Sequence, residues 1–191
     1  MSEEVTDLIN QGLEHMNSGD YNGAIQCFQQ ATELDPNSKE AWNYMGSAYG
    51  WLEDYQNSAD CCEKAVAIDS SYAPAWNNLG SAYDGLKDYQ KAIEKYERAV
   101  ELDPQFKNAW NNMGYSWYNL KEYDRAIECF NKAIEIDPEY SSPWNNSGLA
   151  YWYLKDLEKA KECFEKALEI NPSNKGAQQN LNELKKELGE S

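Results

Sequence analysis

Apolar and small residues recur along this chain with a period of 34. Trp42, Trp76, Trp110 and Trp144 set the register, each 34 residues from the last, and are placed at repeat position 4. Position 8 is then Gly12, Gly46, Gly80, Gly114 and Gly148, and position 11 is His15, Tyr49, Tyr83, Trp117 and Tyr151. These positions step by three and four, so they share one face of a helix. A second set has the same spacing: Tyr21, Tyr55, Tyr89, Tyr123 and Leu157 at 17, Ala24, Ser58, Ala92, Ala126 and Ala160 at 20, then Phe28, Cys62, Tyr96, Phe130 and Phe164 at 24, with Ala at 27 throughout. The pattern predicts five helix pairs, over residues 5–38, 39–72, 73–106, 107–140 and 141–174. Small residues at 8, 20 and 27 let helices approach closely, while aromatics fill the remaining space. Trp at position 4 is expected to be core, buried against the neighbouring repeat.

Turn chemistry agrees with this division. In four of the five turns between paired helices the second residue is Asp (Asp20, Asp54, Asp88, Asp156), a good N-cap, and in the fourth repeat it is Glu122. Asp-Pro or Asn-Pro ends four repeats, because the residue before Pro is pushed out of the helical region. The last repeat needs a cover for its apolar face. Residues 175–188 are expected to provide it, with Ala177, Leu181, Leu184 and Leu188 on one face of a capping helix.

This pattern resembles the tetratricopeptide repeat family over residues 5–174. The resemblance implies an all-α fold: a right-handed superhelical solenoid of five antiparallel helix pairs plus a C-terminal capping helix, forming a single domain over 1–191. Departures are Leu8 for Trp at position 4, Gln11 and Ser147 at position 7, and Ser70 for Pro at position 32. The resemblance also implies that the first helices line a concave groove. On a helical wheel, positions 2, 5, 6, 9, 12 and 13 point roughly away from the core face. Position 5 reads Ile9, Asn43, Asn77, Asn111 and Asn145, and position 6 reads Asn10, Tyr44, Asn78, Asn112 and Asn146, continued by Asn180 of the cap.

An Asn amide offers donor and acceptor together, matching a peptide unit. The run Asn10, Asn78, Asn112, Asn146 and Asn180 is similar to that of the tetratricopeptide domain of the protein O-GlcNAc transferase, where Asn at position 6 grips a peptide backbone. Duplication of one Trp-Asn-Asn surface solution produces the same run, so both explanations stand at this point. Tyr44 interrupts the run and shares the face. Toward the C-terminal half, Tyr115, Tyr118, Trp152 and Tyr153 are expected to cluster, and exposed aromatics of this density mark contact sites.

Charge narrows the partners. The net charge is −16, and residues 1–38 carry seven carboxylates and no Lys or Arg. Such a surface repels nucleic acid and anionic lipid, so neither nucleic acid nor membrane is expected as a partner. Co-chaperones of this family that bind the acidic C-terminal tail of heat-shock chaperones use a carboxylate clamp of Lys at 5 and 2 and Arg at 6. Position 2 here is Thr6, Glu40, Pro74, Asn108 and Ser142, and no cation occupies 5 or 6, so that ligand is excluded. No segment reaches the ~18 apolar residues that span a bilayer. The acidic start Met1-Ser2-Glu3-Glu4 does not read as a signal peptide, which makes a cytoplasmic protein the expectation.

Catalysis finds no support. The one His, His15, sits where Tyr or Trp sits in the other repeats. No phosphate-binding glycine loop is present, and no cofactor is expected. Cys27, Cys61, Cys129 and Cys163 share position 23 and are too far apart to bridge. They lack the convergent His or CxxC spacing of a metal site. They are read as reduced, semi-buried small residues, with Cys61-Cys62 the one pair offering a redox alternative. The sequence therefore points to a scaffold that binds an extended peptide of a partner protein. Self-association through the convex face or edges is the alternative.

Overall fold

The computed structural model describes residues 2–189, and among these it contains eleven α-helices and no strand. Paired helices run α1 (Glu3–Ser18) with α2 (Tyr21–Leu34), α3 (Lys39–Trp51) with α4 (Tyr55–Ile68), and α5 (Ala73–Gly85) with α6 (Tyr89–Leu102). They continue as α7 (Lys107–Asn119) with α8 (Tyr123–Ile136), and α9 (Ser141–Tyr153) with α10 (Leu157–Ile170), followed by α11 (Lys175–Leu188). The helices fall into two compact units, one ending at Asp103 and the other beginning at Pro104. The first holds three helix pairs, and the second holds two pairs and α11.

The centre of each pair is the meeting of positions 8 and 24. Phe28, Phe130 and Phe164 are fully buried, Tyr96 nearly so, and Cys62 fills the same slot in the second repeat. Each lies on the bare backbone of a glycine. A Cβ on Gly114 would stand 2.6 Å from the Phe130 ring and 3.0 Å from the Ala126 carbonyl, which leaves no room for any side chain. The alanines at positions 20 and 27 close the rest of the gap (Ala126 and Ala133 have no exposed surface), so the helices approach to near contact.

The Trp row departs from the expectation of a buried core. Trp42, Trp76, Trp110 and Trp144 are half-buried. Each indole Nε1 donates to the carbonyl at position 32 of the preceding turn: Pro36, Ser70 and Pro104 at 3.0 Å, and Pro138 at 3.1 Å. Trp therefore clips the inter-repeat turn with its polar edge while its ring covers apolar surface, the amphipathic use that suits an indole. Lys64 sits 4.1 Å above the Trp42 ring. Ser70 accepts the indole as the prolines do, since the bond uses the backbone oxygen.

Asp20, Asp54, Asp88 and Asp156 each accept the N–H three residues on and cap the second helices. Glu122, one methylene longer, makes no side-chain cap. Within a repeat, Lys39 reaches Asp69 and Lys107 reaches Asp137, both at 2.5 Å, tying the repeat's start to its end. That lysine and the Ser71 contacts hold the Asp69 carboxyl down to about 2. At the far end Leu181 and Leu184 of α11 are buried with Phe164 and Ala160, and Ala177 is fully buried. Ser147 occupies position 7, where Met45, Leu79 and Met113 are buried apolar residues, and its hydroxyl is buried with no hydrogen-bond partner.

Candidate functional site

Position 5 is buried in four of the five repeats, and Asn145 in the fifth is half-buried. Asn43 is 2% exposed, Asn77 and Asn111 are each 8% exposed, and Ile9 is 6% exposed. A first helix in a stack touches its own second helix and also the first helices of the neighbouring repeats, and position 5 occupies that second contact. The buried amides find partners there. Asn78 Nδ2 donates to Asn43 Oδ1 at 3.0 Å, Asn146 Nδ2 to Asn111 Oδ1 at 3.1 Å, and Asn180 Nδ2 to Asn145 Oδ1 at 3.0 Å. Within a repeat, position 5 in turn donates to position 6: Asn77 to Asn78 at 3.2 Å, Asn111 to Asn112 and Asn145 to Asn146 at 3.4 Å.

The position-6 amides are thus held by neighbours on one side and half-exposed on the other. Asn10 is exposed. Tyr44 packs its ring 5.7 Å from that of Phe28, so it belongs in large part to the core of the first unit. The structure therefore brings Asn78, Asn112, Asn146 and Asn180 into amide chains within their units and sets Tyr44 apart from them.

In the second unit the structure gathers three of the four expected aromatics. Tyr115 and Tyr118 lie 6.3 Å apart, and Tyr118 and Tyr153 meet edge to face at 5.7 Å. Tyr123 completes the group, stacked on Tyr153 at 5.1 Å and edge-on to Tyr118 at 5.6 Å. Sequence reasoning missed it because position 17 reads as core. The signal was available: position 17 of one repeat meets position 13 of the next. Tyr21 stacks in the same way on Trp51 at 5.7 Å. Trp152 turns instead toward Phe164, 6.2 Å away, and donates its indole N–H to Glu187 at 2.6 Å. That bond, with Lys155 at 3.3 Å, holds the Glu187 carboxyl below the usual carboxylate range. Burial, with Tyr153 beside it, pushes the Tyr118 phenol up, so its hydroxyl stays protonated.

Two cavities open beside these residues, one in each unit. Ser47, Gly50, Trp51, Tyr55, Ser58, Asn78, Ser81 and Ala82 line about 330 Å³ in the first. Tyr118, Leu149, Trp152, Tyr153, Lys155, Asn180 and Glu183 line about 360 Å³ in the second. Both can receive a side chain while a position-6 amide stands at the edge.

Among the described residues, the one His and the Cys side chains have structural surroundings. His15 Nδ1 lies 2.8 Å from Asp20, the cap of α2, and serves the turn. Cys61, Cys129 and Cys163 are buried and Cys27 is half-buried. Burial pushes the Cys61 and Cys163 thiols up to about 11, which suppresses the reactive thiolate. Among the described residues no group of three His, Cys, Asp or Glu side chains could hold a metal. No helix among them is long and apolar enough to cross a membrane.

Comparison with solved structures finds the same stacked pairs. A MamA protein is 30% identical, with 90% of this chain and 94% of that chain covered at a TM-score of 0.73. YrrB, described as a tetratricopeptide protein with an unusual peptide-binding site, is 27% identical, covering 90% and 89% at a TM-score of 0.69. The first such domain of Spaghetti (RPAP3), solved with the HSP90 peptide SRMEEVD, is 27% identical over 63% of this chain and 96% of its own, at a TM-score of 0.61. A search of curated proteins finds no match. Family models described as tetratricopeptide repeat match residues 73–106, 108–140, 142–174 and 39–72, and a TPR repeat model matches 12–50. With most of its length so matched, the chain belongs to the tetratricopeptide repeat family.

Proposed function

We propose that this protein is a cytoplasmic, non-catalytic scaffold whose first-helix faces hold an extended segment of a partner protein. The observation that carries the reading is the state of the position-6 amides. Asn78 and Asn146 each spend one N–H on the preceding repeat and accept one bond from their own repeat. An amide has two N–H groups and two acceptor sites, so one of each remains for a ligand's peptide unit. Because the stack fixes these amides in place, little ordering entropy is lost when they bind. Peptide binding by YrrB and by the Spaghetti domain supports the reading. The acidic tail in the Spaghetti complex is not the ligand here, since positions 2, 5 and 6 carry no cation. The five free thiols accord with a reducing compartment.

The test leaves the protein untouched. A binding peptide is selected by phage display on the full chain, and its backbone is then scanned by N-methylation. Two methyl groups at sites facing the amides should lower affinity about tenfold, as each lost hydrogen bond is worth about 0.5–1.5 kcal/mol. Affinity should change only modestly between low and physiological salt, because few charged groups line the face. Indifference to N-methylation at every site means that the backbone is not held. Self-association, measured by sedimentation, then becomes the better account.

A further inference from the structure

We propose that the cavity in the second unit is a specificity pocket for one cationic side chain, arginine above lysine, on the bound segment; this rests on the peptide-holding reading above. Three rings, Tyr118, Trp152 and Tyr153, and Leu149 line it, and Asn180, Glu183 and Lys155 complete the lining. Ring faces carry negative quadrupole potential and attract a cation within about 6 Å.

Lys155 and Glu183 line the pocket, and with Glu187, which is bonded to Lys155 beside it, the charges sum to −1. Lys155 is bonded to Glu187, whose carboxylate also takes the Trp152 indole, so those two charges cancel. Glu183 is left over, and the neutral Gln179 donates to one of its oxygens at 3.0 Å. An anionic side chain would meet both Glu183 and the ring faces. An apolar side chain would strip water from Glu183 and Asn180 and return no hydrogen bond. A guanidinium satisfies all of them: its plane lies on a ring and its fork meets the carboxylate, which a compact ammonium does less well.

The chain pairs cations with rings elsewhere, with Arg125 4.6 Å from the Trp117 ring and Lys159 5.2 Å from that of Tyr151. The net charge of −16 also draws basic segments to the molecule.

The pocket is tested with capped single amino acids, which need no amide chain. N-acetyl-arginine N-methylamide is titrated into the full ¹⁵N-labelled chain, following the Trp152 indole resonance, assigned with Trp152→Phe. The arginine probe should shift that signal saturably at millimolar concentration, the lysine probe more weakly, and the leucine and aspartate probes little. Glu183→Gln, a change at an exposed residue, should weaken the arginine probe about tenfold. A leucine probe that binds as well as arginine overturns the proposal, as does an arginine affinity unchanged in Glu183→Gln. The two readings fail separately. If N-methylation is without effect while the arginine probe still binds, the backbone grip is wrong and the pocket stands. If the backbone is held and no probe prefers the pocket, the grip stands alone.

Discussion

The two cavities are built from corresponding positions and differ in chemistry. Each is set by positions 9, 12 and 13 of one first helix and positions 6 and 9 of the next. In the first unit those are Ser47, Gly50 and Trp51 with Asn78 and Ser81. In the second they are Leu149, Trp152 and Tyr153 with Asn180 and Glu183. The Asn is common and the rest has diverged: a serine-lined hollow with no carboxylate against an aromatic box with Glu183. A duplicated frame thus keeps a feature that suits any peptide backbone and varies the feature that reads a side chain. The difference teaches that contact with the main chain is a property of the repeat, while selectivity is a property of the particular pair of repeats.

The largest expected effect comes from breaking the frame that both cavities share. Phe130→Ala should cost about 3–5 kcal/mol, because a fully buried ring on a glycine backbone leaves a cavity the helices cannot close. Trp110→Ala should cost less, about 2–3 kcal/mol, since part of its surface is already wet and its indole hydrogen bond is to a turn. Urea denaturation followed by circular dichroism ranks the two. A larger loss at Trp110 would mean that the Trp row, and not position 24, is the centre of the repeat.

Much of this frame was legible in the sequence. The alternation of small and large residues at a fixed period of 34 survives changes such as Cys62 for an aromatic or Ser70 for Pro, because each replaces one partner in a contact whose other members remain. What was not legible was the third face of the first helices. A helical wheel divides a helix into inside and outside, but α5 packs on α6, on α4 and on α3. Position 5 therefore reads as outward on the wheel and is buried in the stack. The Trp row differs for a related reason: a large apolar residue at a regular position reads as core, while its indole N–H requires an edge location near a carbonyl. Tyr123 was hidden because its partner, Tyr153, lies in the next repeat, at a spacing set by packing between repeats and not by either helix alone.

A middle-sized effect separates the two duties of the amide row. Asn146→Ala removes the donor to Asn111 and leaves a buried acceptor unpaired, which should cost about 1–3 kcal/mol. Asn10→Ala changes an exposed residue at the same repeat position and should cost within about 0.5 kcal/mol. Thermal melts compare the variants, and affinity for the selected peptide is measured well below both midpoints. If Asn146→Ala costs no more stability than Asn10→Ala, the interlocking amides do not hold the stack. If Asn146→Ala destabilises the fold yet leaves affinity intact, that amide works for the stack alone.

The smallest effect sharpens the comparison at the turns. The first unit opens with Gly19-Asp20, where Gly takes φ 80° and Asp caps α2. The second unit has Lys121-Glu122 at the same turn, with Lys121 at φ 65° and no cap from Glu122. A left-handed conformation costs a residue with a side chain about 1–2 kcal/mol. Glycine avoids that cost but loses about 0.5–1 kcal/mol in unfolded-chain entropy. Lys121→Gly should therefore stabilise by about 0.5–1 kcal/mol, the difference between those two terms. Glu122→Asp should add about 0.5–1 kcal/mol by supplying the cap that four other second helices possess. The turn lies just ahead of Tyr123, so a firmer α8 start also fixes the ring that backs Tyr118 and Tyr153. Differential scanning calorimetry of the two single variants and the double variant reads these gains. Adjacent sites need not be additive, so the double variant measures their coupling. A drop in melting temperature for Lys121→Gly would show that the lysine side chain contributes more to the native turn than its backbone strain removes.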